Sequence, residues 1–286
     1  MGACYLNLAG VNIEINTDYD LLITDKFRQF LCTSPKEQAD CVIVTECCEK
    51  LPEKLQKEYR RELTCFTGDI RKYRNFHYGI NEEIPFGVTC MEETGVIRQC
   101  YLPAYEKYFQ DISAIFKYAG LENFLMSHER ILLHASFVKY DNQGILFSAP
   151  SGTGKSTQAE LWRKTLDAEI INGDRAALSF EDGKWTAWGI PYSGTSGICK
   201  NEDAELRTIV ILRQGPENKI EKINGVSALK HLYPEISMHP WDRHYVEKAM
   251  ELLQNLISHV PIYLLECLPD ESAVRLLKRT LEEEGI

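Results

Sequence analysis

The run Gly144-Ile-Leu-Phe-Ser-Ala-Pro-Ser151-Gly-Thr-Gly-Lys155-Ser-Thr157 constrains this chain more than any other stretch. Its apolar start reads as a buried strand, Gly152 and Gly154 interrupt it, and Thr157 to Leu166 carries helical spacing. A strand, a glycine turn and a helix must therefore follow one another directly. That order points successive backbone N–H groups into one concavity at a helix N-terminus, where a polyphosphate can supply the missing acceptors. Ser151, Gly152, Thr153, Gly154, Lys155, Ser156 and Thr157 form the expected phosphate loop. Lys155 is placed to neutralise β and γ oxygens, and the Ser156 hydroxyl to coordinate Mg²⁺. Ala149 stands where the strict motif has glycine, which is tolerable if its φ stays negative.

A metal-bound triphosphate also needs a carboxylate. Asp174 follows the short apolar strand Glu169 to Ile171, and a strand's C-terminal end is where α/β sheets bind ligands. Asp174 is thus the expected second metal ligand, although Asn172-Gly173-Asp174 is also good turn chemistry.

From residue 128 onward, apolar strands alternate with helices (Ile131–Val138, Gly144–Phe147, Thr157–Leu166, Glu169–Ile171, Arg207–Leu212, Asp242–Ile257, Ile262–Leu265, Ser272–Leu281), which implies an α/β core. Asp270 is the expected N-cap of the last helix. The first 125 residues differ. Short alternating runs at Tyr5–Ala9, Val11–Ile15, Cys41–Val44, Phe86–Met91 and Val96–Leu102 suggest a partly exposed sheet, and helices are expected at Leu51–Glu62 and Ala104–Leu125. The pattern predicts two domains, an N-terminal α+β domain over 1–127 and a nucleotide-binding α/β domain over 128–286. Between 54 and 74, seven basic residues (Lys54, Lys57, Arg60, Arg61, Arg71, Lys72, Arg74) reverse the sign of the chain, as a solvated face or a docking surface for an acidic partner would.

A net charge of -10 argues against nucleic acid and anionic membranes as partners. No stretch approaches the ~20 apolar residues of a membrane-spanning helix, and no signal peptide is visible, so a cytoplasmic location is expected. The ten cysteines are scattered without a C-x-x-C pair, and adjacent Cys47 and Cys48 lack the spacing that lets two ligands face one metal; all ten are expected to be reduced thiols.

His134-Ala-Ser-Phe-Val, the loop from Gly144 to Ser156, and Asn-Gly-Asp174 together resemble the C-terminal catalytic domain of HPr kinase/phosphorylase and, more distantly, the nucleotide core of phosphoenolpyruvate carboxykinase. The resemblance spans roughly 128 to 215. It implies a phosphoenolpyruvate carboxykinase-like P-loop fold, a mixed sheet with flanking helices, preceded here by a smaller α+β domain. It also implies ATP and Mg²⁺ as cofactors, a kinase acting on a hydroxyl, a peptide or small-protein acceptor, and a homo-oligomer. By the same resemblance His134 falls where those kinases carry a histidine, and Asp174 matches the first of two adjacent acids that serve the metal and take the hydroxyl proton. Arg175 occupies the place of the second acid, so the base is Asp174 alone, His134, or a group from the first domain.

The loop Gly189-Ile-Pro191-Tyr192-Ser193-Gly194 resembles that of kinase-like relatives in peptide-modification pathways, such as lasso-peptide kinases, with Tyr192, Ser193 and Lys200 as candidates to face substrate. Arg207 and Arg213 bracket a strand and either clamp phosphate or point to solvent. The expected activity is phosphorylation of a serine hydroxyl on a peptide or small protein. Two alternatives stay open: a small-molecule phosphotransferase, including carboxykinase chemistry, and a regulatory ATPase, which the loss of an acid at Arg175 favours.

Overall fold

The computed structural model describes residues 2–33, 39–51, 56–60, 63–67, 72–76, 85–91, 95–238 and 242–285, with backbone alone for 56–60, 63–67 and 72–76. The chain divides into two compact units, Met1–His128 and Glu129–Ile286. Each holds a mixed sheet with helices packed on it.

In the first unit, nine strands are ordered β3-β1-β2-β4-β9-β8-β7-β6-β5. They are β1 (Gly2–Leu8), β2 (Val11–Thr17), β3 (Leu31–Cys32), β4 (Cys41–Cys47), β5 (Gln56–Arg60), β6 (Leu63–Thr67), β7 (Lys72–Phe76), β8 (Gly87–Met91) and β9 (Val96–Tyr101). The β2–β4 and β4–β9 pairs are parallel, the others antiparallel. Strict alternation decides which face is covered: Val11, Ile13 and Ile15 of β2 and Cys41 and Ile43 of β4 are buried while their neighbours are not. Besides a short α1 (Asp25–Arg28), the helices are α2 (Glu106–Phe109), α3 (Ile112–Ala119) and α4 (Leu121–Ser127). Buried polar side chains stitch the sheet to α3. Thr45 donates to Gln99 Oε1 at 3.0 Å, Gln99 Nε2 to the Ile115 carbonyl at 2.9 Å, and Thr89 to the Tyr118 carbonyl at 2.7 Å.

Two expected helices are corrected here. The Ala104–Leu125 helix is broken in two places. Asp111 caps a new start by accepting from Ser113 N–H at 2.7 Å, and Gly120 turns left-handed at φ 72°. Within Leu51–Glu62 the described residues Gln56–Arg60 are a strand, paired with Leu63–Thr67, because sheet pairing overrides weak helical propensity. Lys54, Arg61 and Arg71 lie outside the described residues, and Lys57, Arg60, Lys72 and Arg74 fall on β5 and β7.

The second unit holds β10 (Arg130–Tyr140), β11 (Gln143–Ser148), β12 (Glu169–Asn172), β13 (Arg175–Glu181), β14 (Lys184–Trp188), β15 (Asp203–Gln214), β16 (Lys219–Ile223) and β17 (Ile262–Cys267). Their order is β11-β10-β13-β14-β15-β17-β16, with β12 on β10; β11 also pairs in parallel with β15, so β11, β10, β13, β14 and β15 form a closed ring of pairings. The helices are α5 (Lys155–Leu166), α6 (Gly225–Leu232), α7 (Arg243–His259) and α8 (Glu271–Glu283). Helices α5 and α8 share one core with the strands: Ala159 and Trp162 of α5 and Val274, Leu277 and Leu281 of α8 meet Phe147, Val210 and Leu265. Asp270 caps α8, accepting from Ser272 N–H at 2.9 Å. This packing fixes the N-terminus of α5 at the end of β11. No helix among the described residues is long and apolar enough to cross a membrane.

Candidate functional site

The loop from Ala149 to Gly154 leaves β11 and enters α5 with Gly152 at φ 81° and Gly154 at φ 123°. A methyl at either glycine would meet nothing within 4 Å, so the backbone conformation and not space requires them. Ala149 is buried and is not among the residues with positive φ, so its methyl strains nothing. No side chain caps the first turn of α5, which leaves that turn's amides to be satisfied from outside the helix. Ser151, Gly152, Ser156 and Thr157 are exposed around this point, with Thr153 and Gly154 partly so.

Lys155 behaves differently. It is 7% exposed, and its ammonium folds back onto its own loop, donating to the Ala149 carbonyl at 2.7 Å and the Pro150 carbonyl at 3.4 Å. Burial lowers its pKa, while the negative charges of Glu235 and Asp174 pull the other way. A buried cation whose hydrogen bonds among the described residues go to carbonyls gains from an anion brought beside it. Beside the loop lies a cleft of about 540 Å³, lined by Ala149 to Thr153, the end of β15 from Ile211 to Gln214, Lys230 and His231 of α6, and Pro234 and Glu235. His231 is held below its usual pKa by burial and by Arg213 and Lys230, so this wall is rich in positive charge.

Asp174 is set by Asn172, which is fully buried. Its Oδ1 accepts from the Asp174 and Arg175 amides at 2.8 and 3.0 Å, and its Nδ2 donates to the Ile190 and Tyr192 carbonyls at 2.7 and 3.0 Å. One side chain thereby ties the Asp174 turn to the 190–192 loop. The same loop then passes so close to Asp174 that a Cβ at Gly194 would lie 2.7 Å from its carboxylate. Asp174 Oδ1 faces His134 Nε2 at 3.6 Å and Oδ2 faces Arg175 Nε at 3.5 Å. Arg175 also donates to Ser237 Oγ at 3.2 Å.

The other nitrogen of His134, Nδ1, lies 2.8 Å from Glu235 Oε2. Glu235, 9% exposed, is the residue that reading the sequence missed. It sits in a one-turn 3₁₀ segment, Tyr233–Glu235, held against β10 by the Leu133–Ile236 bridge and by Ser237 N–H donating to the Leu132 carbonyl at 2.9 Å. A separation of 101 residues from His134 leaves no local signal by which to find it.

His134, Lys155, Asp174 and Arg175 are thus neighbours, with Glu235 added. Of the other candidates, Lys200 is paired with Glu169, and Arg213 lines the cleft with Glu266 at 3.8 Å. Ser193 is buried, and its hydroxyl has no partner among the described residues. The Arg207 Nε is also buried without a partner among them.

No protein-family model matches the chain, and no curated protein matches it. Among solved structures, the chain is similar to the HPr(Ser) kinase/phosphatase from Coxiella burnetii, with 15% identity over 54% of this chain and 94% of that one, at a TM-score of 0.31.

The residues present suit a metal–triphosphate complex. Uncapped helix amides and the inward Lys155 are groups that could hold phosphate oxygens, and the Asp174 carboxylate and the Ser156 hydroxyl are hard oxygen donors of the kind that could hold Mg²⁺. Among the described residues, two carboxylates flank His134, Asp174 at Nε2 and Glu235 at Nδ1, and position 175 is an arginine.

Proposed function

We propose that the chain is an ATP- and Mg²⁺-dependent phosphotransferase that phosphorylates a hydroxyl, in this reading a serine on a peptide or small protein. The observation that carries the proposal is the buried ammonium of Lys155, folded back onto the glycine loop and within the electrostatic reach of Glu235 and Asp174, where Ala149 to Thr153 and Glu235 line one cleft. Bound Mg·ATP would supply the phosphoryl group and a cation that offsets its charge.

The protein's own part is then positioning and charge neutralisation. Amides of Ser151 to Ser156 and Lys155 hold the phosphates. Asp174 and Ser156 hold the cation. His134 takes the hydroxyl proton at Nε2, with Nδ1 oriented by Glu235, so that the base lost at Arg175 is recovered from another part of the fold. Arg175 moderates the charge on Asp174 and braces the Ser237 segment. The first unit is the acceptor-recognition element in this reading. The motif-level resemblance to HPr kinases and peptide-modifying kinases supports a protein acceptor over a metabolite.

The regulatory ATPase reading draws on one observation, the ion pair that Arg175 makes with Asp174. Transfer of γ-labelled phosphate from ATP in an extract of the source cell separates the readings, with Lys155→Ala as control. Label on one peptide or protein, absent in the variant, is expected. Label only in a small metabolite would give the small-molecule reading instead, and label only in free phosphate would give the ATPase.

A further inference from the structure

The first unit carries a cluster unrelated to the phosphate loop. Strands β4 and β9 run parallel, with Glu46 opposite Cys100. Side chains alternate across a sheet, so Glu46, Cys48 and Cys100 leave the same face. The chain beyond β4 stays in register, because the Cys48 amide donates to the Tyr101 carbonyl at 2.8 Å. The Cys48 thiol lies 3.8 Å from the Glu46 carbonyl, and the Cys100 thiol is hydrogen-bonded to Cys48. One ligand atom from each of Glu46, Cys48 and Cys100 lies within 4.8 Å of the other two. Cys47 and Cys48, adjacent in sequence, do not make this pair; a residue 52 positions away does.

From this geometry we infer that Glu46, Cys48 and Cys100 form a site for a soft or borderline divalent cation, zinc being the chemistry that fits. Two sulfur donors select zinc over magnesium or calcium. In a tetrahedral site with Zn–S near 2.3 Å the two sulfurs stand about 3.8 Å apart, which neighbouring thiols reach with little movement. Three protein ligands on a half-exposed face leave the fourth position for water. Charge also balances: two thiolates and a carboxylate with a divalent ion leave one negative charge, and Arg98, 3.6 Å from Glu46, offsets it.

The scaffold is firm. Thr45 and Gln99, the chain neighbours of Glu46 and Cys100, are locked on the opposite face through the Thr45–Gln99–Ile115 hydrogen bonds.

The test uses the full chain, reduced and stripped with a chelator, then titrated with Co²⁺ and back-titrated with Zn²⁺. The expected result is one equivalent of Co²⁺ with sulfur-to-cobalt charge-transfer absorption, displaced by Zn²⁺. Both Cys48→Ser and Cys100→Ser should lose that absorption and weaken Zn²⁺ binding beyond the roughly 10–100-fold that loss of an outer-shell partner costs. Cys47→Ser should match the wild type. Should the serine variants fold poorly, Glu46→Gln keeps both thiols and should still weaken Zn²⁺ at least tenfold. Absorption unchanged in Cys48→Ser and Cys100→Ser, equal loss in Cys47→Ser, or a purified chain in which Cys48 and Cys100 are joined as a disulfide would overturn the assignment. None of these outcomes depends on the kinase reading.

Discussion

Asn172 makes four hydrogen bonds from one buried amide, and every one of them sets the position of Asp174 or of the loop laid beside it. A buried side chain satisfied on both sides has no alternative rotamer of comparable energy, so the carboxylate is held before any ligand arrives. Glu235 does the same for His134. Its carboxylate fixes which imidazole nitrogen carries the proton, leaving Nε2 toward Asp174. If His134 is the base, Glu235→Ala should lower turnover by about 10²–10⁴-fold with little change in the KM for ATP. Adding His134→Ala to it should cost little more, because the two act as one unit. Steady-state kinetics on the two single variants and the double variant check this. Losses that multiply would separate the residues, and full activity in Glu235→Ala would remove it from the site. Glu235→Gln, which keeps an acceptor for Nδ1, should recover part of the rate.

At the scale of elements, caps decide more than propensity. The Asp270 side chain, bonded to the Ser272 hydroxyl and amide at the start of α8, has its pKa lowered by those bonds. A depressed carboxyl contributes stability above its unfolded pKa and loses it as pH falls through the folded one. Asp270→Ala should therefore lower Tm at neutral pH, and the gap to wild type should close in acid as pH falls through the Asp270 pKa. Thermal melts across that range check it; a gap independent of pH would mean the cap's charge contributes nothing.

Asp270 was legible because Pro-Asp before an apolar periodic run is a start signal, and the loop from Ala149 to Thr157 was legible because its chemistry is contiguous. Position 111 was hidden because helical spacing continues across it, and only the cap's bond to Ser113 marks the break. The hairpin of β13 and β14 had a readable sign, Asp182-Gly183, both at positive φ. Strand β5 and Glu235 had none, since long-range pairing sets the first and a contact 101 residues away sets the second.

Over the whole molecule, two sheet-based units of comparable size carry very different chemistry. Among the described residues, the glycine loop, its inward lysine and the Asp174–His134–Glu235 cluster all belong to Glu129–Ile286, and the thiol pair to Met1–His128. With a net charge of -10, the chain would depend on local positive groups, Lys155 first, to hold the anionic ligand of the proposed reading. One such loop per chain predicts one nucleotide per chain. The most direct measurement is a calorimetric titration of Mg·ATP into the full chain, its Lys155→Ala variant and its Asp174→Asn variant. The account predicts one equivalent bound by the wild type, no measurable heat for Lys155→Ala, and weaker but measurable binding for Asp174→Asn. Equal binding by wild type and Lys155→Ala, or none by the wild type, would contradict it.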